Sequence, residues 1–182
     1  MKKILLALFL LFSLIGNSQN TKALDEQYGF RGIKFETSIT EFQNLEQIQI
    51  PASMAAYAIP VDKQVFKYYV PTNKQDTAGL DQIIYAFYKD KLYGMWIITS
   101  GEKDSDNMLN TLKTAFGSGS KYPFVNIENY NIWKGKKVLM THVKSPAMLK
   151  MNLAEMSITI IISKPLEKQF KQDEQSTNKQ IK

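Results

Sequence analysis

The spacing of apolar and polar positions changes several times along the chain, and each change marks an element. Residues Ile4 to Ile15 form an apolar run interrupted only by Ser13, with Lys2 and Lys3 before it and the small residues Gly16 and Ser18 after it. Charge, apolar stretch and small residues in that order read as a secretory signal peptide over residues 1–18, cut after Ser18. Twelve residues make about 18 Å of helix against a hydrocarbon core of about 30 Å. The run therefore favours a cleaved signal over a retained anchor, and the expected mature form does not span a membrane.

Residues 19–27 are polar and read as a flexible leader. Phe30 to Phe35 then alternates apolar and charged residues, as a half-buried strand does. Ser38 and Glu41 form an S-x-x-E capping box. Ile39, Phe42, Leu45 and Ile48 follow at a spacing of three, which predicts an amphipathic helix bounded by Pro51. Strand-type runs come next: Gln64 to Val70, then Ile83 to Tyr88 and Leu92 to Thr99 about the turn Lys89-Asp90-Lys91. Ile83, Tyr85 and Phe87 are expected on one face of this hairpin, and Leu92, Trp96 and Ile98 together on one face. Met108, Leu109, Leu112 and Phe116 predict a helix from about Asp106 to Phe116, with Asp104 and Asp106 at its start, Lys113 in its last turns and Gly117 closing it.

Asn129 to Lys134 and Val138 to Val143 predict a second hairpin about Gly135. Ser157 to Ser163 closes the sheet with Ile158, Ile160 and Ile162 on one face, and Pro165 stops it. Residues 166–182 read as a polar tail, disordered or loosely helical. The expected fold class is α+β, with antiparallel sheet and two helices on one face. The element order fits two helix-plus-three-strand units, about 28–100 and 101–165, within a single domain of residues 28–165.

The stretch Phe30-Arg31-Gly32-Ile33-Lys34-Phe35-Glu36-Thr37-Ser38-Ile39-Thr40-Glu41-Phe42 resembles the opening of small exported bacterial domains of unknown role. In these a strand ending in an aromatic, Gly and Ser precedes an amphipathic helix. The helix-then-three-strands order is similar to the repeat of β-lactamase-inhibitor-like and outer-membrane-assembly-lipoprotein-like folds. Glu36 stands where the family usually has Gly, and the lipid-attachment Cys of the assembly lipoproteins is absent. The resemblance implies an architecture and assigns no functional residue.

Composition adds two constraints. Of 182 residues none is Cys, so the fold is expected to be held by packing without a disulfide, and 164 residues remain after the signal to build a core. Loss of Lys2 and Lys3 lowers the formal charge from +6 to +4, and from Lys113 onward there are 12 lysines against five acids. In an exported protein such a basic half meets phospholipid, polysaccharide or another envelope protein more readily than nucleic acid.

Candidate chemistry is sparse. Ser100-Gly101-Glu102-Lys103 matches S-x-x-K and Ser105-Asp106-Asn107 matches S-D-N. In penicillin-recognising enzymes those motifs lie far apart and converge, whereas here they adjoin, and Lys113-Thr114-Ala115 is no K-[ST]-G. His142, the single histidine, has Ser145 nearby but no nucleophile elbow, and is expected on a half-solvated strand face. Asp104-Ser105-Asp106 opens like a calcium loop but lacks the third ligand and the glycine. Met140, Met148, Met151 and Met156 with His142 would suit Cu(I), yet Met is also the usual filler of irregular cores. The expectation is no metal, no cofactor and no catalysis.

Surfaces remain. Tyr130, Trp133, Lys134, Lys136 and Lys137 place aromatics beside a basic turn, a combination suited to an anionic or sugar partner. Tyr57, Tyr68, Tyr69, Tyr85, Tyr88 and Tyr93 make the first half aromatic-rich. The expected function is that of an exported binding or interaction protein of the bacterial envelope or secretome, with an unidentified protein or envelope component as partner. A small-molecule, lipid or sugar carrier with an aromatic-lined pocket is the alternative.

Overall fold

A computed structural model of the chain describes residues 19–50, 65–73, 77, 79–121, 130–145 and 156–180. The expected signal peptide, Tyr57, Met148 and Met151 lie outside these residues. The elements are α1 (Thr21–Gln27), β1 (Gly29–Phe30), β2 (Ile33–Lys34), a 3-10 turn (Ile39–Glu41), β3 (Leu45–Ile48), β4 (Phe66–Pro71), β5 (Gln82–Tyr88), β6 (Lys91–Ser100), α2 (Glu102–Phe116), β7 (Ser120–Lys121), β8 (Tyr130–Lys134), β9 (Val138–Ser145), β10 (Met156–Ser163) and α3 (Lys164–Gln180). The fold is α+β, as expected.

Strands β3 to β10 form one antiparallel sheet in the order β3-β4-β5-β6-β10-β9-β8-β7, and β1 pairs with β2 apart from it. Each half of the large sheet is a four-strand meander followed by a helix: β3 to β6 then α2, and β7 to β10 then α3. The halves join where β10 runs antiparallel to β6, from Met156 opposite Ser100 to Ile162 opposite Gly94. Side chains alternate across a strand, so this junction feeds two cores. Met95, Ile97, Tyr85 and Ile161 pack with Leu24 of α1 and Met108, Leu112 and Phe116 of α2. Trp96, Ile98, Ile158 and Tyr88 pack with Leu166 and Phe170 of α3. Two helices thus cover one face and the third covers the other. No described helix is long and apolar enough to cross a membrane.

The β5–β6 hairpin forms as expected, with Lys89 and Asp90 both at positive φ (48° and 60°), the geometry a tight two-residue turn demands. Its facing differs in one respect. A bulge shifts the register between Ala86 and Phe87, so that Phe87 lies opposite Leu92 while Ala86 lies opposite Gly94. Leu92 accordingly joins Phe87 under α2, and Trp96 and Ile98 turn to the α3 face. An extra residue in one strand inverts the alternation beyond it.

The helix expected after Ser38 does not form. The capping box is present, with Ser38 Oγ accepting from Thr40 N–H at 3.3 Å and Glu41 accepting from Ser38 N–H at 3.1 Å, yet it closes only the single 3-10 turn. Asn44 then takes a left-handed φ of 58°, and Leu45 to Ile48 pair with β4 as an edge strand. The spacing of three misleads because residues three apart in a strand point to opposite faces. Leu45 packs with the α1/α2 core and Ile48 with the α3 core. Phe42 is held by Tyr85 and Phe87, at 5.6 and 5.2 Å between ring centroids.

Residues 21–27 and 164–180 are both helical despite their polarity. Residues 21–27 are α1, capped by Asn20 Oδ1 on Ala23 N–H at 3.2 Å, with Leu24 only 1% exposed. Pro165 does end the strand, and it also sits in the first turn of α3, where a missing N–H costs nothing. Ser163 Oγ accepts from Leu166 N–H at 3.3 Å, and the tail runs as a helix to Gln180.

Candidate functional site

The β8–β9 turn, Lys134-Gly135-Lys136-Lys137, is gripped from two sides. From α1, the Asp25 carboxylate accepts the backbone N–H groups of Lys136, Lys137 and Val138 at 2.6, 2.7 and 3.1 Å. From the start of α3, Lys164 donates its N–H to the Lys137 carbonyl at 2.9 Å and its ammonium to the Gly135 carbonyl at 2.8 Å. A methyl group at position 135 would overlap the Asp25 carboxylate and force it to shift off the turn. Three consecutive amides aimed at one carboxylate form a nest of the kind that holds anions, and here the chain fills it with its own side chain.

Around this turn the lysines gather. An open groove of about 620 Å³ on the α1 side is lined by Lys22, Lys34, Lys136 and Lys137, together with Tyr28. A second, of about 680 Å³, on the α3 side is lined by Lys136, Lys164, Lys168 and Lys171. Lys136 belongs to both. Against these seven lysines stand Asp25, Glu26 and Glu167. Asp25 is spent on the turn, Glu26 lies 3.6 Å from Lys22, and Glu167 lies 2.6 Å from Lys171. Tyr28 is fixed by its hydroxyl, which donates to Glu36 and accepts from Ser163 Oγ at 2.9 Å. Burial, reinforced by Glu36, pushes its pKa up to about 12, so it remains a neutral donor. Lys137 lies over its ring at 5.8 Å.

Of the residues expected at this site, Lys136 and Lys137 are central. Lys134 is exposed at the end of β8 but lines neither groove. Tyr130 is half-buried at the far end of the strand, four residues or about 13 Å away. Trp133 is corrected outright: it is fully buried, faces Met140 and α2, and donates its indole N–H to the Gly117 carbonyl at 2.7 Å. It shares a strand face with Asn131, whose polarity in the sequence suggests solvent although it too is buried. Sequence reading missed Asp25 and the α3 lysines. Lys164, Lys168 and Lys171 at i, i+4 and i+7 carry a helical signal, concealed by the overall polarity of the tail.

The catalytic and metal candidates resolve as follows. Ser100 ends β6 and Lys103 is exposed on α2, so S-x-x-K is not one helical turn. His142 is buried, not half-solvated, and its Nδ1 lies 2.9 Å from Thr159 Oγ1. Ser145, three residues on, falls on the opposite strand face. Met140 belongs to the α1/α2 core and Met156 packs against the other. Among the described residues no cluster of His and acids is suited to a metal. His142 instead forms part of a buried polar line beneath α2, with Asn131, Thr159, Ser157 and Thr99. Burial, with Lys113 and Lys144 close by and Asp106 opposing them, pushes the imidazole down to about 4.

The aromatic residues pack against one another. Tyr68, Tyr85, Tyr88 and Tyr93 are all buried. A space of about 100 Å³ beside Leu24, Phe30, Leu112 and Met140 is small beside the 300 Å³ or more of an ordinary ligand pocket. A groove of about 890 Å³ between α3 and β4–β5 is larger, but its Lys89 and Tyr88 are already engaged with Asp173, the lysine at 2.7 Å.

No protein-family model matches the chain, and neither does any curated protein or any solved structure. The geometry of the lysine surface therefore has to carry the functional argument alone.

Proposed function

We propose that the chain is an exported, non-enzymatic binding protein of the envelope or secretome, and that it engages an anionic partner through the lysine surface centred on Lys136. The carrying observation is the pair of lysine-lined grooves that share Lys136 across a turn fixed by Asp25 and Lys164. Lysines held around an immobilised backbone present a fixed field to a partner, and grooves concentrate that field. An internal carrier pocket is less well supported, because Tyr68, Tyr85, Tyr88 and Tyr93, which would line it, are buried in packing.

The test is sedimentation of the purified protein with isolated cell envelopes at about 50 and about 300 mM salt, a range over which charge-driven contacts weaken steeply. The expected result is binding that falls with salt and is lost in a Lys136→Glu/Lys137→Glu variant of unchanged circular dichroism. Binding indifferent to both salt and charge reversal would overturn the reading.

A further inference from the structure

We infer that the anionic partner is a linear acidic polymer, an acidic polysaccharide chain, laid across the β8–β9 turn from one groove into the other. This rests on the reading of the lysine surface as the binding site and goes on to name what fills it.

A compact anion such as a single phosphate needs convergent donors, typically backbone amides in a nest. The nest formed by the β8–β9 turn is occupied, since Asp25 takes the N–H groups of Lys136, Lys137 and Val138. What remains is a row of lysine ammonium groups, compact point charges that suit repeated, loosely spaced negative charge better than one bidentate group. Lys34 and Lys164 rest on backbone carbonyls and Lys22 and Lys171 beside Glu26 and Glu167, so Lys136, Lys137 and Lys168 lead the contact.

The row is also extended. Lys164, Lys168 and Lys171 span about 10 Å along one side of α3. Lys136 links them to the groove holding Lys34, Lys137 and Lys22. Two open grooves sharing a wall describe a track for a chain.

Three other polyanions fit less well. A bilayer would be met by a flat or convex basic face with an apolar anchor, because stable attachment takes two signals. Among the described residues the one large, well-exposed apolar side chain is Val65, just before β4, and it lines the separate groove of Asp173. Single-stranded nucleic acid would want open aromatic faces for its bases. The aromatic of these grooves, Tyr28, has its hydroxyl tied to Glu36 and Ser163 and its ring beneath Lys137. An acidic protein would be expected to bury aromatic or aliphatic anchors at the centre of its contact, whereas the groove walls here are mainly lysine stems and short polar side chains.

The experiment measures binding of polygalacturonate, its trimer, neutral dextran, phosphatidylglycerol vesicles and a single-stranded oligonucleotide to the purified full chain. Wild type is compared with Lys137→Glu, Lys168→Glu and the double variant, each checked for an unchanged melting temperature. The expected result is binding of polygalacturonate but not dextran, with affinity rising with oligomer length until both grooves are spanned. The double variant should weaken the polymer by about tenfold or more and lower its salt slope by close to one per lysine engaged. Either single change should affect the polymer more than the trimer.

Equal affinity for trimer and polymer, after correction for the number of sites per chain, would overturn the linear-track inference. So would lysine-dependent binding of vesicles or oligonucleotide in preference to polygalacturonate. Both of those outcomes leave the lysine surface standing as the binding site. Polymer binding that the double variant leaves unchanged would sink the inference and the surface together.

Discussion

The two faces of the sheet bury their polar atoms in opposite ways. Under α3 the layer is aromatic: Phe66 stacks among Tyr93, Phe170 and Tyr88 at 4.9, 5.0 and 5.5 Å between ring centroids. Its polar atoms can be carried to the margin, as where the Tyr88 hydroxyl reaches Asp173. Under α1 and α2 most of the β5–β6 part is equally apolar, but a line from the end of β6 across β10 and β9 to β8 carries Thr99, Ser157, Thr159, His142 and Asn131, none more than 2% exposed. Some of these are paired, as Thr99 with Ser157 at 2.6 Å. Single atoms are left over, for Asn131 Nδ2, His142 Nε2 and, on α2 above them, Ser105 Oγ have no partner among the described residues. An amphipathic aromatic keeps a wet tip and a dry ring, whereas a short polar side chain under a helix has no such exit. The α2 face should therefore respond more strongly to both truncation and acid.

The largest expected effect sharpens this contrast at its apolar end. Trp133→Ala removes a fully buried indole and its bond to Gly117, and should cost about 3–5 kcal/mol. Phe170→Ala, on the opposite face and half-buried, should cost about 2 kcal/mol. Urea unfolding of both variants checks the order. Equal losses would mean that the faces are not so different.

Next comes the acid response of His142. With its folded pKa held near 4 against 6.5 for a free imidazole, the unfolded chain binds a proton between those values while the folded chain does not. The contribution of the neutral ring is complete above about pH 6.5 and drains away as the pH falls toward 4. The gap is worth on the order of 3 kcal/mol. Urea midpoints at pH 7 and 4.5 should fall further for the wild type than for His142→Gln, which cannot take up the proton. Parallel pH profiles would remove the polar line from the account.

How much of this could be read beforehand depended on how far each element's signal was local. The β5–β6 hairpin and α2 announce themselves because their periodicity and their turn or capping residues agree. Ile39, Phe42, Leu45 and Ile48 did not, since a 3-10 turn running into a margin strand that feeds two cores produces the same spacing as one helical stripe. The tail concealed α3 because two residues, Leu166 and Phe170, suffice to seat a helix whose remainder is polar. At the site, Lys136 and Lys137 were legible as a basic turn. Asp25 was not, being more than a hundred residues away in sequence, and Trp133 was misplaced because its face-mate Asn131 is polar yet buried. Register is a property of the sheet as a whole, and no single strand states it.

A third, smaller effect lies where the buried faces give way to the surface. Asp25→Ala removes the acceptor of three amides, but these lie near the surface and water can replace it in part. The expected cost is about 2 kcal/mol, seen as a lowered melting temperature. The same variant empties the nest, so it should gain affinity for inorganic phosphate that the wild type lacks. Isothermal titration with phosphate would register the gain, and its absence would mean that the turn loses its shape without the carboxylate.

The smallest effect on stability is expected from the lysines themselves. Lys136, Lys137 and Lys168 are exposed, and changing them to Glu should alter unfolding free energy by no more than about 0.5 kcal/mol each, measured in the same urea titrations. That near-silence sets the surface apart from both cores. A folded chain is indifferent to charges it does not use for packing, yet here the helix α1 carboxylate and the first residue of α3 are both committed to holding the turn that bears them. If Lys136→Glu destabilised the protein as much as Asp25→Ala does, the lysine would be a strut of the turn, and the two grooves would lose the residue that joins them.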